Sequence, residues 1–570
     1  MECRWEYKPQ PDPKDVEHLC KEINVSPIVA SLLVQRGIYT FEEAKQYFRP
    51  SHEHLHDPFL MKDMHKAVER INKAFENGEH ILVYGDYDVD GTTSVALVYL
   101  FLKKHHTHVH YYLPDRYSEG YGISYKGIDC AAEWGCTLII ALDCGIKSSD
   151  KISYAKSKNI DFIVCDHHLP GADIPDACAV LDPKQPDCSY PYKELCGCGI
   201  GFKLLQALSL KNHYPLDDLF SYLDLVAIAT CADIVPLTGE NRTLVALGMK
   251  QINEHLRPGI KALLEVGGLK KIKDVSDIVF IIGPRINAAG RMNHANIALQ
   301  LLLADTDNKA SETVKLVDKN NSDRKATDSS ITLEALEMIE ANPEYRNAKA
   351  TVLYNERWHK GVIGIVASRC IEKYHRPTII FTKSGEYAAG SARSVPGFDI
   401  HAAIEQCSEH VVQFGGHMYA AGITLLPEKI NDFREKFIQV VEASIEEHML
   451  VPTIHVDSII SLQSITPKLY NILSQMAPFG PKNMQPVFVA ENVYDDGRAK
   501  VLKQHHLKLF LTQASNIPPV EAIAFNMAQH YYRIAKREKF NVCFSIEEND
   551  YNGKKNIQLF VRDIKFTSPQ

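Results

Sequence analysis

The sequence lacks the features that mark membrane, secreted and fibrous proteins. It has no run of about 18 apolar residues, the length that a helix needs to cross a bilayer. The stretch MECRWEYKPQPDPKD lacks the apolar core of a secretion signal, and we find no internal repeat and no low-complexity tract. With 45% hydrophobic and 24% charged residues, the composition is that of a globular protein. We therefore expect a cytoplasmic protein without a membrane partner.

The sequence also lacks a cysteine pattern for zinc. Its 14 cysteines are scattered and include no C-x-x-C pair. Without an export signal, reduced thiols are the default expectation. Cys196 and Cys198, in LCGCGIGFKL, lie among glycines and apolar residues, and we interpret them as buried thiols at a tight turn. A zinc site is therefore not expected.

An excess of positive charge is missing as well. The formal net charge is -8, so a nucleic-acid partner would need a local basic groove or bound cations. Basic residues do interleave with aromatic ones near the C-terminus, a pattern that suits a single strand, although solvated surface faces explain it equally well. These residues are Arg498, Lys500, Lys503, Lys508, Arg533, Lys536, Arg537 and Lys539.

A chain of 570 residues is too long for a single core, and its patterning indicates several domains. Short apolar runs alternate with helical stretches after His80, which predicts an α/β lobe with a mostly parallel sheet. A second α/β pattern follows a polar helical stretch, and short strands fill the rest, which predicts a small β-barrel or sandwich. We predict an N-terminal helical appendage, a first α/β lobe, a connecting helix, a second α/β lobe and a strand-rich domain at residues 1–53, 54–306, 307–345, 346–450 and 451–570.

Acidic residues cluster directly after the first apolar strand. The segment YGDYDVDG places Asp86, Asp88 and Asp90 close together, and Gly91 permits a tight turn into a helix. A cation relieves the repulsion among the carboxylates, and oxygen ligands together with histidine suit Mn²⁺ or Mg²⁺. The alternatives are a solvated acidic turn or a calcium loop. The EF-hand pattern, however, requires a glutamate where this chain has Leu97.

Further acids and histidines follow other apolar runs. TLIIALD ends at Asp143, DFIVCD ends just before His167 and His168, and DLVAIATCAD ends at Asp233. One such acid is commonly a helix cap. Because the carboxyl ends of parallel strands meet at one edge of a sheet, the set favours a two-metal centre.

These motifs resemble a known family. DYDVDG, LDCG, DHH and ADIVPL, in that order, resemble the four motifs of the DHH phosphoesterase superfamily, and FGGHMYAAG resembles its DHHA1 partner domain. GPRINAAGRM and APFGPKNMQPVF point to the RecJ branch, the single-strand-specific exonucleases. The resemblance spans residues 54 to about 565. It implies a DHH lobe and a smaller DHHA1 lobe joined by a long helix, followed by an OB-like barrel.

The resemblance also implies a ligand set for two divalent cations, Mn²⁺ or Mg²⁺. Asp143 is expected to bridge the two cations. Asp86 is added because smaller relatives have a histidine where this chain has Tyr84. The metal ligands carried over are Asp88, Asp90, Asp143, His167 and Asp233, and Asp86 is expected to replace the missing histidine.

His168 completes the catalytic set. Both His168 and Asp166 could orient the ligands or face the scissile phosphate, and we favour His168 for the phosphate.

Substrate contacts are predicted from both lobes. Two glycines before His417 let main-chain N–H groups approach an anion, although a helix N-terminus packed under Tyr419 explains them as well. Arginines offer paired hydrogen bonds to a terminal phosphate, and Arg285 and Arg291 equally suit structural ion pairs. The predicted substrate-binding residues are Arg116, Arg285, Ser391, Arg393, Gly415, Gly416 and His417.

The expected function is stepwise 5′ to 3′ hydrolysis of single-stranded DNA to mononucleotides, in DNA repair and recombination. The direction, and a helicase and a single-strand-binding protein as partners of a monomer, are implied by the resemblance alone. One alternative is a phosphodiesterase for short oligonucleotides or cyclic dinucleotides, against which the basic tail argues. The other is a noncatalytic single-strand-binding factor, against which the intact carboxylate set argues.

Overall fold

The structure is a computed structural model that describes residues 3–551 and 554–567. Its N-terminal segment contains strand β1 (Arg4–Tyr7) and helices α1 (Pro13–Ile23), α2 (Pro27–Val34) and α3 (Phe41–Phe48). The sequence pattern from Pro27 to Phe48 predicts one helical stretch. The chain instead turns at Gly37, whose φ is 76°, and the side chain of Thr40 caps a new helix.

The first lobe is a parallel sheet covered by helices on both faces. The strands lie in the order β3-β2-β4-β5-β6 and are all parallel. Those strands are β2 (His80–Gly85), β3 (Val109–Tyr112), β4 (Cys136–Leu142), β5 (Asp161–Cys165) and β6 (Ala179–Leu181). The helices are α4 (Met64–Glu76), α5 (Val89–His105), α6 (Tyr125–Glu133), α7 (Ser149–Ser157), α8 (Gly197–Asn212), α9 (Leu216–Phe220), α10 (Leu223–Ala232), α11 (Gly239–Glu254), α12 (Pro258–Val266), α13 (Val275–Asp277), α14 (Gly283–Met292) and α15 (Asn296–Leu302).

The amphipathic helix α4 shows how these helices cover the sheet. Its buried residues recur at helical spacing on one face, which packs into the core of the first lobe. Helix α5 is buried along most of its length because it lies between the sheet and the helical layer formed by α8 and α10.

A long helix, α16 (Asp307–Ala341), connects the lobes, and α17 (Pro343–Asn347) follows it. The second lobe has a sheet in the order β10-β11-β9-β8-β7, in which only β7 and β8 are parallel. Its elements are β7 (Thr351–Tyr354), α18 (Ile363–Tyr374), β8 (Thr378–Ser384), β9 (Tyr387–Arg393), α19 (Ile400–Glu405), β10 (Gln413–His417), β11 (Ala420–Leu425) and α20 (Ile430–Ser444).

The strand-rich C-terminal domain is a barrel. Its sheet runs β13-β14-β18-β19-β17-β16-β15, and a pairing of β14 with β16 closes it. Its elements are β12 (Thr453–Val456), β13 (Ser458–Ile459), α21 (Pro467–Gln475), β14 (Phe488–Asp495), β15 (Lys500–Leu502), β16 (His506–Thr512), β17 (Val520–Ala524), α22 (Tyr531–Ala535), β18 (Phe540–Tyr551) and β19 (Lys554–Phe566).

The N-terminal segment packs against this barrel. Strand β1 pairs in parallel with β12, and Leu19, Leu32 and Leu33 share a hydrophobic core with Phe488 and Phe540 of the barrel. The residues that we described as an appendage thus complete the core of the C-terminal domain. Within the described residues, no helix is long and apolar enough to cross a membrane.

Candidate active site

The candidate site lies at the carboxyl edge of the parallel sheet. Strands β2, β4 and β5 are immediate neighbours, and Asp86, Asp143 and Asp166 each follow the last residue of one strand. The hydrogen bond from Asp143 N to Cys165 O, at 2.9 Å, extends the ladder beyond the strand. Asp143 then takes a left-handed conformation, with φ of 59°. Aspartate tolerates this conformation better than most residues.

The first acidic motif forms the start of α5. The Asp88 carboxylate caps this helix by accepting a hydrogen bond from Gly91 N at 3.0 Å. A Cβ atom on Gly91 would lie 2.4 Å from the carbonyl oxygen of Asp86. Gly91 is therefore needed for this close approach of helix to strand. Asp86 is buried, and its Oδ1 accepts a hydrogen bond from Gly122 N at 3.3 Å.

The N-terminus of α8 holds the Asp90 carboxylate. Gly197 N donates to Oδ2 at 2.6 Å, and Cys198 N donates to Oδ1 at 2.8 Å. The thiols of Cys196 and Cys198 are buried, as predicted, but their segment also has a role that the sequence analysis missed. Free N–H groups at a helix N-terminus stabilise a carboxylate there.

His167 lies at the centre of the acidic cluster. Its Nε2 atom is 3.2 Å from Asp143 Oδ1, 3.6 Å from Asp233 Oδ2 and 3.9 Å from Asp90 Oδ2. Asp233 arrives from the C-terminal end of helix α10 and not from a strand. Two overlapping groups of potential ligand atoms each lie within 4.8 Å: one in Asp90, His167 and Asp233, the other in Asp143, His167 and His168.

Several buried polar atoms at this centre have no hydrogen-bond partner among the described residues. They are both ring nitrogens of His167, Oδ2 of Asp86 and Oδ2 of Asp233. An unpaired buried polar atom is costly, and ligation of a cation is one way of satisfying it. The donor set, carboxylate oxygens with one imidazole, fits Mn²⁺ or Mg²⁺.

The electrostatics agree with a cation site. Burial, with the neighbouring Asp90 charge, raises the pKa of Asp143 well above its usual value, and burial with the Asp88 charge raises the pKa of Asp90 to about 6. Burial, with the charge of His168, lowers the pKa of His167 to about 3. The His167 ring is therefore neutral at pH 7, the form that binds a metal.

His168 lies beside His167 and is hydrogen-bonded to Asp166. Its Nδ1 is 2.7 Å from Asp166 Oδ1, and its Nε2 is 3.2 Å from the hydroxyl oxygen of Tyr121. Although burial alone would raise the pKa of Asp166, the hydrogen bond from His168 lowers it to about 2. The same bond raises the pKa of His168, against the opposing effect of burial. Tyr121 was not among the predicted site residues.

Arginines from both lobes converge beside this edge. The Arg116 guanidinium lies 5.1 Å from the ring centre of Tyr87, and Arg393 Nη1 donates to Ser391 Oγ at 3.2 Å. Arg291 joins the lobes by donating from Nη1 to Gly361 O at 3.0 Å. Burial, with the charges of Arg116 and Arg393, lowers the pKa of Arg291 to about 10. These guanidinium groups are therefore close enough to repel one another, an arrangement that an anion would relieve.

Arg285 does not join this arginine cluster. Its Nε donates to Asp318 Oδ1 at 2.9 Å, and its other nitrogens donate to the carbonyl oxygens of Ile281 and Val266. The structure thus shows Arg285 in an ion pair, and its role in substrate binding stays a prediction.

The FGGHMYAAG segment is a hairpin and not a helix N-terminus. Gly415, Gly416 and His417 lie on β10, the exposed edge strand of the second lobe. Burial, with the charges of Lys147 and His168, lowers the pKa of His417.

Some basic residues of the barrel form no ion pair with other described residues. Lys500, Lys503 and Lys536 are exposed and form no ion pair within the described part of the chain. Lys536 Nζ lies 4.0 Å from the ring centre of Tyr532, which is 68% exposed. Arg498, Lys508 and Arg533, by contrast, pair with carboxylates, as expected of a solvated surface.

Comparison with protein families identifies three domains. Residues 80–230 match the N-terminal domain of the DHH family, residues 347–443 match the DHHA1 domain, and residues 456–563 match the RecJ OB domain. Fold and site together thus define a DHH phosphoesterase with a C-terminal OB barrel. The predicted fold class is confirmed.

Individual relatives identify the family within this class. The single-stranded-DNA-specific exonuclease RecJ of Bacillus subtilis is 35% identical over 565 residues, covering 98% of this chain and 70% of that protein. RecJ of Escherichia coli is 32% identical over 565 residues, covering 94% of this chain and 96% of that protein. The chain belongs to the RecJ family, and the resemblance inferred from the motifs is confirmed.

Solved RecJ structures are similar to this structure. RecJ from Thermus thermophilus in complex with Mn²⁺ has a TM-score of 0.85 and 26% identity, covering 100% of this chain and 80% of that one. An exonuclease RecJ bound to manganese has a TM-score of 0.59 and 31% identity, covering 68% of this chain and 96% of that one.

Proposed function

We propose that this protein is a metal-dependent exonuclease that hydrolyses single-stranded DNA stepwise from the 5′ end and releases mononucleotides. The observation that carries the proposal is the unpaired imidazole of His167 among buried carboxylates, in a cleft that arginines of both lobes enter. Membership of a family named for single-stranded-DNA-specific exonucleases supports the substrate class. The direction of digestion rests on the family alone.

The cofactors proposed are two divalent cations, Mn²⁺ or Mg²⁺. The Thermus relative has been solved with each of these ions. When bound, such cations lower the pKa of a water molecule and neutralise charge on a phosphodiester. The residues proposed to hold them are Asp86, Asp88, Asp90, Asp143, His167 and Asp233.

The residues of the chain prepare this chemistry by fixing the ligands in advance. The α8 amides orient Asp90, and the Asp143 backbone is tied to β5, so neither carboxylate needs to reorganise when a cation binds. Asp166 fixes the ring orientation of His168 through Nδ1. We propose that His168 then donates from Nε2 to a phosphate oxygen, exchanging its contact with Tyr121 for one with substrate.

The end of the strand is proposed to lie in the arginine cluster. A terminal phosphate carries more charge than an internal one, and guanidinium groups can bind it by paired hydrogen bonds. Arg116 and Arg291 come from the first lobe, whereas Ser391 and Arg393 come from the second. Binding at such a pocket beside the metal ligands would limit each cut to one nucleotide.

The remaining contacts are proposed for the second lobe and the barrel. Gly415 and Gly416 leave the main chain of β10 accessible to a phosphate, and the exposed His417 follows them on the same strand. The exposed Tyr532 with its neighbouring Lys536 offers stacking and charge to a single strand. On family grounds alone, we propose that the protein acts as a cytoplasmic monomer in DNA repair and recombination, with a helicase and a single-strand-binding protein.

The test is digestion of a long single strand labelled at either end, in Mn²⁺, by the parent protein and by Asp143→Asn. We expect mononucleotides from the 5′ end with the parent and no product with the variant. Cleavage of short oligomers or cyclic dinucleotides only, or binding without cleavage, would each contradict the proposal.

A further inference from the structure

A lysine follows the last strand of the parallel sheet at the same edge as the metal ligands. Cys165 and Leu181 are paired in register on β5 and β6, and Asp166 N donates to Leu181 O at 3.0 Å. The chain then turns at Pro183 and Lys184, so Lys184 follows β6 at the same edge at which His168 follows β5. Asp182 fixes the turn, because its Oδ1 accepts a hydrogen bond from Lys184 N at 2.7 Å.

A second lysine follows β4 on the other side of β5. Ile146 N donates to Asp166 Oδ2 at 2.9 Å, which fastens the loop that carries Lys147 to the residue that orients His168. Lys147 and Lys184 thus come from the two loops that flank His168, and neither belongs to the metal ligands or to the arginine cluster.

Neither ammonium group forms a short ion pair with a carboxylate of the described residues. Within residues 3–551 and 554–567, Lys147 forms no ion pair, and the nearest carboxylate oxygen to Lys184 Nζ is Glu194 Oε2, at 3.9 Å. The second lobe adds more positive character on the opposite side of the cleft. Burial, followed by the charges of Lys147, His168, His401 and Lys184, lowers the pKa of His417. Among the described residues, the 3.9 Å contact of Lys184 with Glu194 is thus the one ion pair that the two lysines and His417 form.

We propose that Lys147, Lys184 and His417 form a second anion site, which binds an internal phosphate of the single strand while the arginine cluster binds its terminal phosphate. The inference rests on the proposed function and assigns the path of the strand past the metal ligands. Ammonium groups bind phosphate as point charges and tolerate any base sequence, as a general exonuclease requires. The competing explanation is that the two lysines only neutralise the acidic edge. In that case, their replacement should weaken metal binding and should not change the effect of any single phosphate.

The experiment measures kcat/KM in Mn²⁺ on 5′-phosphorylated single strands that carry one uncharged methylphosphonate at successive linkages. For the parent, we expect a loss of about tenfold at one internal linkage, which the double variant Lys147→Gln/Lys184→Gln no longer shows. Its log(kcat/KM) should also depend less steeply on log salt, by about 1.4 for two contacts. Lys184→Arg, alone, should retain the parent pattern.

Lys211→Gln is the matched control, because Lys211 is exposed at the end of α8 opposite to the amides that hold Asp90. It should retain both the methylphosphonate pattern and the salt dependence. Equal methylphosphonate penalties in the parent and the double variant would overturn the second site. A loss of kcat/KM in the double variant that saturating Mn²⁺ restores would overturn it as well. A parent that cuts no single strand would overturn the proposed function itself, and this inference with it.

Discussion

The carboxyl edge of the first lobe and the hairpin edge of the second lobe contribute to the same cleft but are built differently. In the first lobe, buried carboxylates are held by main-chain amides, such as those of Gly197 and Cys198 on Asp90. In the second lobe, Gly415, Gly416 and His417 lie exposed on an edge strand. The difference indicates that the metal site is organised before any ligand binds, whereas the substrate contacts are completed by the substrate.

The largest expected effect comes from breaking the buried edge at Asp143. Asp143→Ala should reduce exonuclease activity roughly a thousandfold or more, because no neighbouring carboxylate can replace the proposed bridging group. The metal-free variant should be close to the parent in stability, since removal of one carboxylate from a repelling cluster offsets the cost of alanine at this left-handed position. Activity assays in Mn²⁺ and thermal melting with and without Mn²⁺ check both statements.

Asp217→Ala, which removes an exposed carboxylate on α9, serves as the control and should match the parent. Activity of Asp143→Ala within tenfold of the parent would refute the two-metal assignment.

A second prediction concerns the main-chain cradle, which we define as the amides of Gly197 and Cys198 that hold Asp90. It tests whether this cradle matters as much for activity as the metal ligands. In Gly197→Ala, the new Cβ would lie 2.6 Å from Asp143 Cβ and 2.8 Å from its Cα. The start of α8 would have to shift, and its amides would lose their alignment with Asp90. We expect a loss of activity of about a hundredfold and weaker Mn²⁺ binding, measured by titration calorimetry.

Gly199→Ala is a matched control on the same helix, because its Cβ would meet neighbours at ordinary distances of 3.4 Å or more. If both alanine variants behaved like the parent, the cradle would have no part in metal binding.

A third prediction concerns the arginine cluster between the lobes. Arg393→Ala should slow cutting of 5′-phosphorylated strands by about tenfold or more, since charge-assisted hydrogen bonds to the terminal phosphate are lost. Strands with a 5′-hydroxyl should be affected much less. Kinetics on matched strands measure the difference, and an identical loss on both would mean that Arg393 contacts the backbone generally or supports the fold.

The smallest expected effect lies on the barrel surface. Tyr532→Ala should weaken binding to long single strands by about tenfold through lost stacking, while the rate on short strands stays unchanged. Tyr387→Ala, which removes an exposed tyrosine from the second lobe, is the control. Filter binding on strands of increasing length measures the effect. Equal binding by both variants at every length would contradict the prediction.

A point variant is a sharper test of the barrel than its removal. Deletion from residue 451 would expose the apolar faces of α1 and α2, which share the barrel's core. The sequence offered no sign of this packing, because contacts between the two ends of a chain leave no local periodicity.

The metal ligands could be predicted because the carboxyl ends of parallel strands lie at one edge of a sheet, wherever the strands stand in the sequence. The α8 cradle could not be predicted, because main-chain amides leave no signature in the residue types. Arg285 and Arg291 share one motif and differ only in their tertiary partners, so the sequence could not separate them. A further signal went unused: AVLD places Asp182 at the end of β6, where burial raises its pKa to about 7.

The central claim is that the buried edge binds a pair of cations. The most direct measurement is the number of Mn²⁺ ions bound per chain at equilibrium, by calorimetry and by electron paramagnetic resonance, for the parent and Asp143→Ala. The account predicts two ions in the parent with magnetic coupling between them, and loss of that coupling in the variant. A single uncoupled ion in the parent, or coupling that persists without Asp143, would contradict it.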